Sequence, residues 1–300
     1  MTNGIDPAIT LLRNGESLSL HALAGTTIRL GEEGLGLPPV RRLVERGPAQ
    51  NGDTDVGYRL EPRILSFVLL QASEDVAGYW AARRALQRFL APSTVPIRLR
   101  IDLPTGEARQ LDVAYIGGLG WGSSDRLGTA HQTPIQLRAA DPTFYDPVAQ
   151  SVVYAVPSGA GAWTIPWDIP WGIGASTINT AQSVQTPGDW ASYPVITVAG
   201  PIANLVITND TTGEKLDFTG YTIANGDTFT IDTSPGVKSV TDQNGVRRID
   251  KLTDDSDLAT FRIVAHPEAT DGVNSIRVTG SSSTAATQIF IQYHPRYSAL

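Results

Sequence analysis

Helical periodicity occurs in only one stretch of this 300-residue chain, residues 74–90; elsewhere 29 glycines and 20 prolines interrupt the sequence every few residues. Strands of roughly four to eight residues fit between such breaks, and long helices do not. The chain is therefore expected to be mainly β, with one helix. That helix is expected to start at Ser73 as N-cap, with Glu74 and Asp75 placing negative charge in its first turn. Val76, Tyr79, Trp80, Ala82, Leu86, Phe89 and Leu90 fall on one face at helical spacing, Arg84 and Arg88 lie opposite, and Pro92 ends the run. An apolar stripe of this kind is expected to pack against a sheet.

In the first half, segments 18–23, 26–31, 57–70, 96–102, 108–116 and 134–139 show alternation or β-branched content. Within 57–70, Arg59, Glu61, Arg63, Leu65, Phe67 and Leu69 share one parity, and Pro62 marks an edge or a bulge. The second half reads as about ten short strands between 150 and 294, including 246–249 and 260–264. Turns are expected at NDTTGEK (209–215) and at DQNGVRR (242–248), the latter with a strong Asn-Gly signal. Regular turn spacing without helical period argues for a β-sandwich. Residues 31–56 are polar and turn-rich, long for a connection in a compact domain. Their centre, PPVRRLVER, suits a short extended arm, and Arg41, Arg42 and Arg46 are its candidate inter-subunit contacts.

Charge divides the chain. Residues 1–140 hold 15 Arg, no Lys and 14 acids, whereas residues 141–300 hold 5 Arg, 3 Lys and 16 acids, a change from +1 to −8. This break favours a domain boundary near 140–150, and we take the domains as 1–145 and 146–300. An acidic half does not suit general nucleic-acid binding, which needs a basic surface. Guanidinium groups in such excess over ammonium suit bidentate pairing with carboxylates at interfaces, although a GC-rich genome yields the same bias. Cysteine is absent, which excludes disulfides, Cys-ligated metals and thiol chemistry. There is no apolar run long enough to span a membrane, and MTNGIDPAIT does not read as a secretory leader.

No phosphate loop, dinucleotide fingerprint, nucleophile elbow or zincin motif occurs, and no cofactor or metal is expected. GGLGWG (117–122) lacks a following amphipathic helix to bind phosphate. NGDTDVG (51–57) opens like a calcium loop without its closing glutamate, and reads as a solvated turn. DDSD (254–257) offers Asp254, Asp255 and Asp257 for glycoside hydrolysis, against the simpler reading of an acidic turn. Trp163, Trp167, Trp171 and Trp190 cluster in the second half. They are candidates for glycan stacking, against the alternative that they seal the sandwich or a subunit contact. The four histidines are too scattered for a local ligand motif.

At LRAADPTFYDP (137–147), GDWASYPVITVAGPIANLVITNDTTGEKLDF (188–218), the run from Gly226 to Thr233, GVNSIRVTG (272–280) and YHPRY (293–297), the chain resembles the distal tail protein (Dit) family of long-tailed (siphovirus) bacteriophages. The cues cover about half the chain; the N-terminal part matches by plan. The resemblance implies a tail-tube-like N-terminal β-sandwich with a flanking helix and a C-terminal galectin-like β-sandwich. It implies a homohexameric ring at the distal end of the virion tail, made in the host cytoplasm, that leaves a channel for DNA. The implied partners are the chain itself, the tail tube and tape-measure proteins, and tail-tip hub or adhesion proteins. No catalysis and no sequence-specific nucleic-acid binding are implied. Two rivals stand beside this reading: a carbohydrate-binding module of a host-adhesion device, and a glycan-cleaving enzyme.

Overall fold

The computed structural model describes residues 7–20, 27–122, 126–156 and 176–300. The chain forms two compact units, Met1–Pro147 together with Tyr297–Leu300, and Val148–Arg296. Residues 146–147 and 297–300 thus fall in the first unit, where the sequence reading divides the chain as 1–145 and 146–300.

The first unit contains β1 (Ala8–Arg13), β2 (Glu16–Ser19), β3 (Thr27–Glu33), β4 (Val40–Glu45), β5 (Thr54–Leu60) and β6 (Arg63–Ala72) before the helix α1 (Val76–Leu90). After it come β7 (Ile97–Asp102), β8 (Ala108–Gly118), β9 (Arg126–Leu127), β10 (Ala130–Ala139) and β11 (Phe144–Tyr145). The main path runs β2-β1-β7-β8-β10-β6-β3. β8 serves both halves of it: Ala108–Val113 pair with β7, and Ala114–Gly118 pair with β10. At Gly118 (φ +97) a Cβ would collide with the Pro134 carbonyl, so glycine is what lets β8 approach β10. The path folds over at β8, and inward side chains from both halves share one core, including Leu11, Leu99, Phe67 and Leu137. This is a sandwich arrangement.

Strand 57–70 of the sequence reading is two strands, β5 and β6, broken at Glu61-Pro62. Proline has no N–H to continue a ladder. β6 then alternates as read, with Arg63, Leu65, Phe67, Leu69 and Gln71 buried. The stretch 31–56 is not a plain loop. It contains the end of β3, all of β4 and the start of β5.

The helix begins two residues later than read, and Asp75 rather than Ser73 caps it. Asp75 is extended (φ −133) and its carboxylate accepts the Gly78 N–H at 2.6 Å. Ser73 is occupied elsewhere: its N–H and C=O both bond Thr129 on the adjoining strand connection. Tyr79, Leu86, Phe89 and Leu90 are buried as read, but Val76 and Trp80 are exposed. At the far end, Arg13 donates to the Phe89 and Ala91 carbonyls at 2.7 Å. It satisfies carbonyls that the helix leaves open, with a cation where the dipole favours one.

The second unit contains β12 (Gln150–Ala155), β13 (Ser176–Gln185), β14 (Val195–Ala199), β15 (Ile202–Asn209) and β16 (Lys215–Asp217). β17 (Thr222–Ile223), β18 (Thr228–Asp232), β19 (Ser239–Asp242), β20 (Val273–Ser283) and β21 (Gln288–Tyr293) complete it. One sheet runs β12-β21-β14-β18-β19 and the other β13-β20-β15-β16, with β17 on β15. Ile196, Phe229 and Ile291 from the first and Ile207, Leu216 and Val278 from the second meet in one core. Segments 246–249 and 260–264 are not strands. They are irregular chain with single bridges, Arg247 to Thr241 and Ile263 to Ser192. Phe261 and Ile263 nevertheless fill the core, which explains their strand-like apolar spacing.

Candidate assembly surface

β4 and β5 form a hairpin that pairs with no other strand among the described residues. Its register is antiparallel, with one shift between Leu43 and Val44. Its base is closed by the Glu61 N–H donating to the Pro39 carbonyl at 2.8 Å. Val40, Val44, Val56 and Tyr58 are exposed along it, and Leu37 at its approach is 76% exposed. A two-stranded hairpin with no covered apolar face is marginally stable in water. Exposed strand edges and apolar side chains together form a template for another chain.

The arginines are a second unusual feature of the hairpin. Arg41 lies directly across from Arg59. Like charges facing each other across a ladder destabilise it. Among the described residues no carboxylate forms an ion pair with Arg41, Arg42 or Arg59. The Arg42 guanidinium lies over the Tyr58 ring, 5.9 Å from its centre. Arg46 differs: it pairs with Asp53 at 2.9 Å within the hairpin and donates to the Gly52 carbonyl. Arg41 and Arg42 are thus exposed and, among the described residues, without an ion-pair carboxylate, whereas Arg46 is committed to the hairpin's own turn. That turn is the NGDTDVG segment, so Asp53 serves it as an ion-pair partner.

Sequence reasoning missed the residue that roots this hairpin. Arg63 is 1% exposed. Its guanidinium donates to the carbonyls of Gly34 (2.6 Å), Gly36, Pro142 (2.8 Å) and Ser298 (2.5 Å). It also lies 4.6 Å from the centre of the buried Phe144 ring. Burial pushes the Arg63 guanidinium down to about 10, still charged at neutral pH. Its parity with Leu65, Phe67 and Leu69 was the available signal, and the structure shows that this parity faces inward. The family-like DPTFY segment acts at this point. The Asp141 carboxylate accepts from the Thr143 N–H and hydroxyl, turning the chain so that Phe144 enters the core.

Other candidates separate from this surface. Trp163, Trp167 and Trp171 lie outside the described residues. Trp190 is half-buried, and its backbone bridges to Arg296. Asp255 pairs with the Lys215 ammonium, and the Asp257 carboxylate accepts the Lys215 backbone N–H at 2.9 Å. These two aspartates tie a loop to β16, the acidic-turn role. Among the described residues no group of three or more His, Asp or Glu is placed to hold a metal ion. No described helix is long and apolar enough to cross a membrane.

No family model matches the chain, and no curated protein matches it. Among solved structures it is similar to the Dit protein of phage SPP1, which is described as a paradigm of the hub adsorption apparatus in phages that infect Gram-positive bacteria. The identity is 14%, over 95% of this chain and 98% of that chain, with a TM-score of 0.61. It is also similar to a chain of the phage P2 baseplate in its activated, calcium-bound conformation, at 9% identity, 95% and 97% coverage and a TM-score of 0.49. At such identity the SPP1 likeness speaks of fold. The chain is a mainly β protein with the fold of the SPP1 Dit protein.

Proposed function

We propose that this chain is a structural subunit of a phage tail tip, a distal tail protein that closes into a ring through the β4–β5 hairpin. The observation that carries the reading is the hairpin itself: apolar side chains exposed along it, and two arginines facing each other with no ion-pair carboxylate among the described residues. A neighbouring copy that covers Val44 and Tyr58 and offers acids to Arg41 and Arg42 supplies what the hairpin lacks. Such a contact is heterologous, and rotation closes it into a ring. The resemblance to the Dit family implies six copies around a channel, and the fold shared with the SPP1 Dit protein is compatible with that family. The near-neutral charge of residues 1–140 suits a channel that passes DNA without gripping it, because a strongly basic lining would hold phosphates. The second unit then serves as the anchor for adhesin or baseplate proteins, and the tail tube and tape-measure proteins are the remaining partners. In this reading the protein acts by geometry in the virion, with no cofactor and no reaction.

The substitution Arg41→Glu tests the hairpin's role. It replaces the repulsive Arg41–Arg59 pair by an attractive one, so the single chain's hairpin becomes more stable. Assembly is expected to fail, because the partner's carboxylate now meets a carboxylate. Light scattering is expected to give a multimeric mass for the native chain and a monomeric mass for the variant. A variant that assembles as well as the native chain contradicts the proposal.

A further inference from the structure

The first unit is discontinuous in sequence: it is completed by Tyr297–Leu300, a segment that follows the whole of the second unit. This segment docks at the hairpin's root. The Ser298 carbonyl accepts from Arg63, the same guanidinium that holds the Gly34 and Gly36 carbonyls where the chain approaches β4. The Leu300 N–H faces the Leu35 carbonyl at 3.4 Å. The Arg109 guanidinium lies 3.6 Å from the centre of the Tyr297 ring. Gly34 (φ +91) presses on β6, where a Cβ would collide with the Ile64 carbonyl. On the other side, only Glu61 and Pro62 separate Arg63 from the end of β5. Both ends of the hairpin therefore converge on one buried cation, and that cation takes one of its acceptors from residue 298.

A buried guanidinium needs its N–H groups filled, and an N–H left without an acceptor is costly away from water. Before residues 297–300 exist, the Arg63 site lacks one acceptor, and Leu35 is not tied. We propose that Tyr297–Leu300 is a closing strap: it fixes the hairpin in position, so that a chain becomes able to assemble only after its second unit has been made. Domains fold in order during synthesis, N-terminal first. A first unit completed by a later segment is thereby kept from joining neighbours while its own chain is still growing. The assembly consequence rests on the hairpin's proposed role; the positional claim does not.

The test compares the full chain with one ending at Arg296, and with Tyr297→Ala, a milder change that keeps the Ser298 carbonyl. Amide hydrogen exchange is followed in peptides covering 34–45 and 54–63, with 97–102 as the reference for the sandwich. The shortened chain is expected to exchange at least about tenfold faster in the first two segments at unchanged protection of 97–102, and to remain monomeric. Tyr297→Ala is expected to shift the same segments by less. If the shortened chain does not fold, Tyr297→Ala carries the comparison alone. Unchanged exchange in the hairpin, or an equal loss of protection in all three segments, overturns the strap. If the exchange pattern appears but the full chain never assembles, the strap stands and the assembly reading fails.

Discussion

Asp242 shows how single side chains stabilise the second unit. Burial works to raise its pKa, but the Val246 N–H, the Arg248 guanidinium and the Asn244 N–H outweigh it and hold the carboxylate below its ordinary 3.8. The N–H contacts are 3.0 and 2.9 Å, and the Arg248 contact is 2.8 Å. A depressed folded-state pKa adds stability above the unfolded value, and that stability is lost as pH falls through the folded value. Melting of the second unit is therefore expected to weaken below about pH 4. Asp242→Asn is expected to lower melting at pH 7 and to flatten the dependence at low pH. Thermal melts of both proteins from pH 7 to about pH 3 check this, and parallel slopes would contradict it. Asp242 belongs to a turn that was legible, because Asn244-Gly245 announces it. Arg63 was legible only in parity. The sequence groups it with Leu65, Phe67 and Leu69 but tells neither that this parity faces inward nor which carbonyls accept from it; these come from positions 34, 36, 142 and 298.

Among elements, the helix separates what periodicity can and cannot reveal. Its existence, its stop before Pro92 and its buried side were readable, but the width of the buried face was not. Leu86 is 2% exposed and Trp80 is 42% exposed, although both lie on the same broad apolar arc. Trp80 instead has the Arg83 guanidinium over its ring at 4.9 Å. Leu86→Ala is thus expected to cost about 2–5 kcal/mol. Trp80→Ala is expected to change stability by no more than about 1 kcal/mol. Urea denaturation of the two variants checks the contrast; equal losses would mean that the helix buries a wider face. β13 shows the opposite failure. STINTAQSVQ offers only Ile178 and Val184 to the core among polar neighbours, so its alternation is faint until β20 pairs along it. β4 and the start of β5 were hidden for a related reason: lacking a buried face, they carry no clean inward-outward alternation and read as a polar arm, and only residues 57–60 of β5 fell within a strand of the sequence reading.

For the whole molecule, the β-sandwich of the second half was legible because turn residues recur at sheet-like intervals, whereas the first half read only as strands around one helix and its sandwich came from the family resemblance. The strap was not legible, because a four-residue segment has no periodicity and its docking site is distant in sequence. If the proposed hairpin builds a ring, the ring must be visible in negative-stain images of the purified full chain. Annular particles with six-fold symmetry and a central channel are expected, lost in Arg41→Glu. Particles of single-chain size at high concentration, or a closed assembly without a channel, would contradict this proposal.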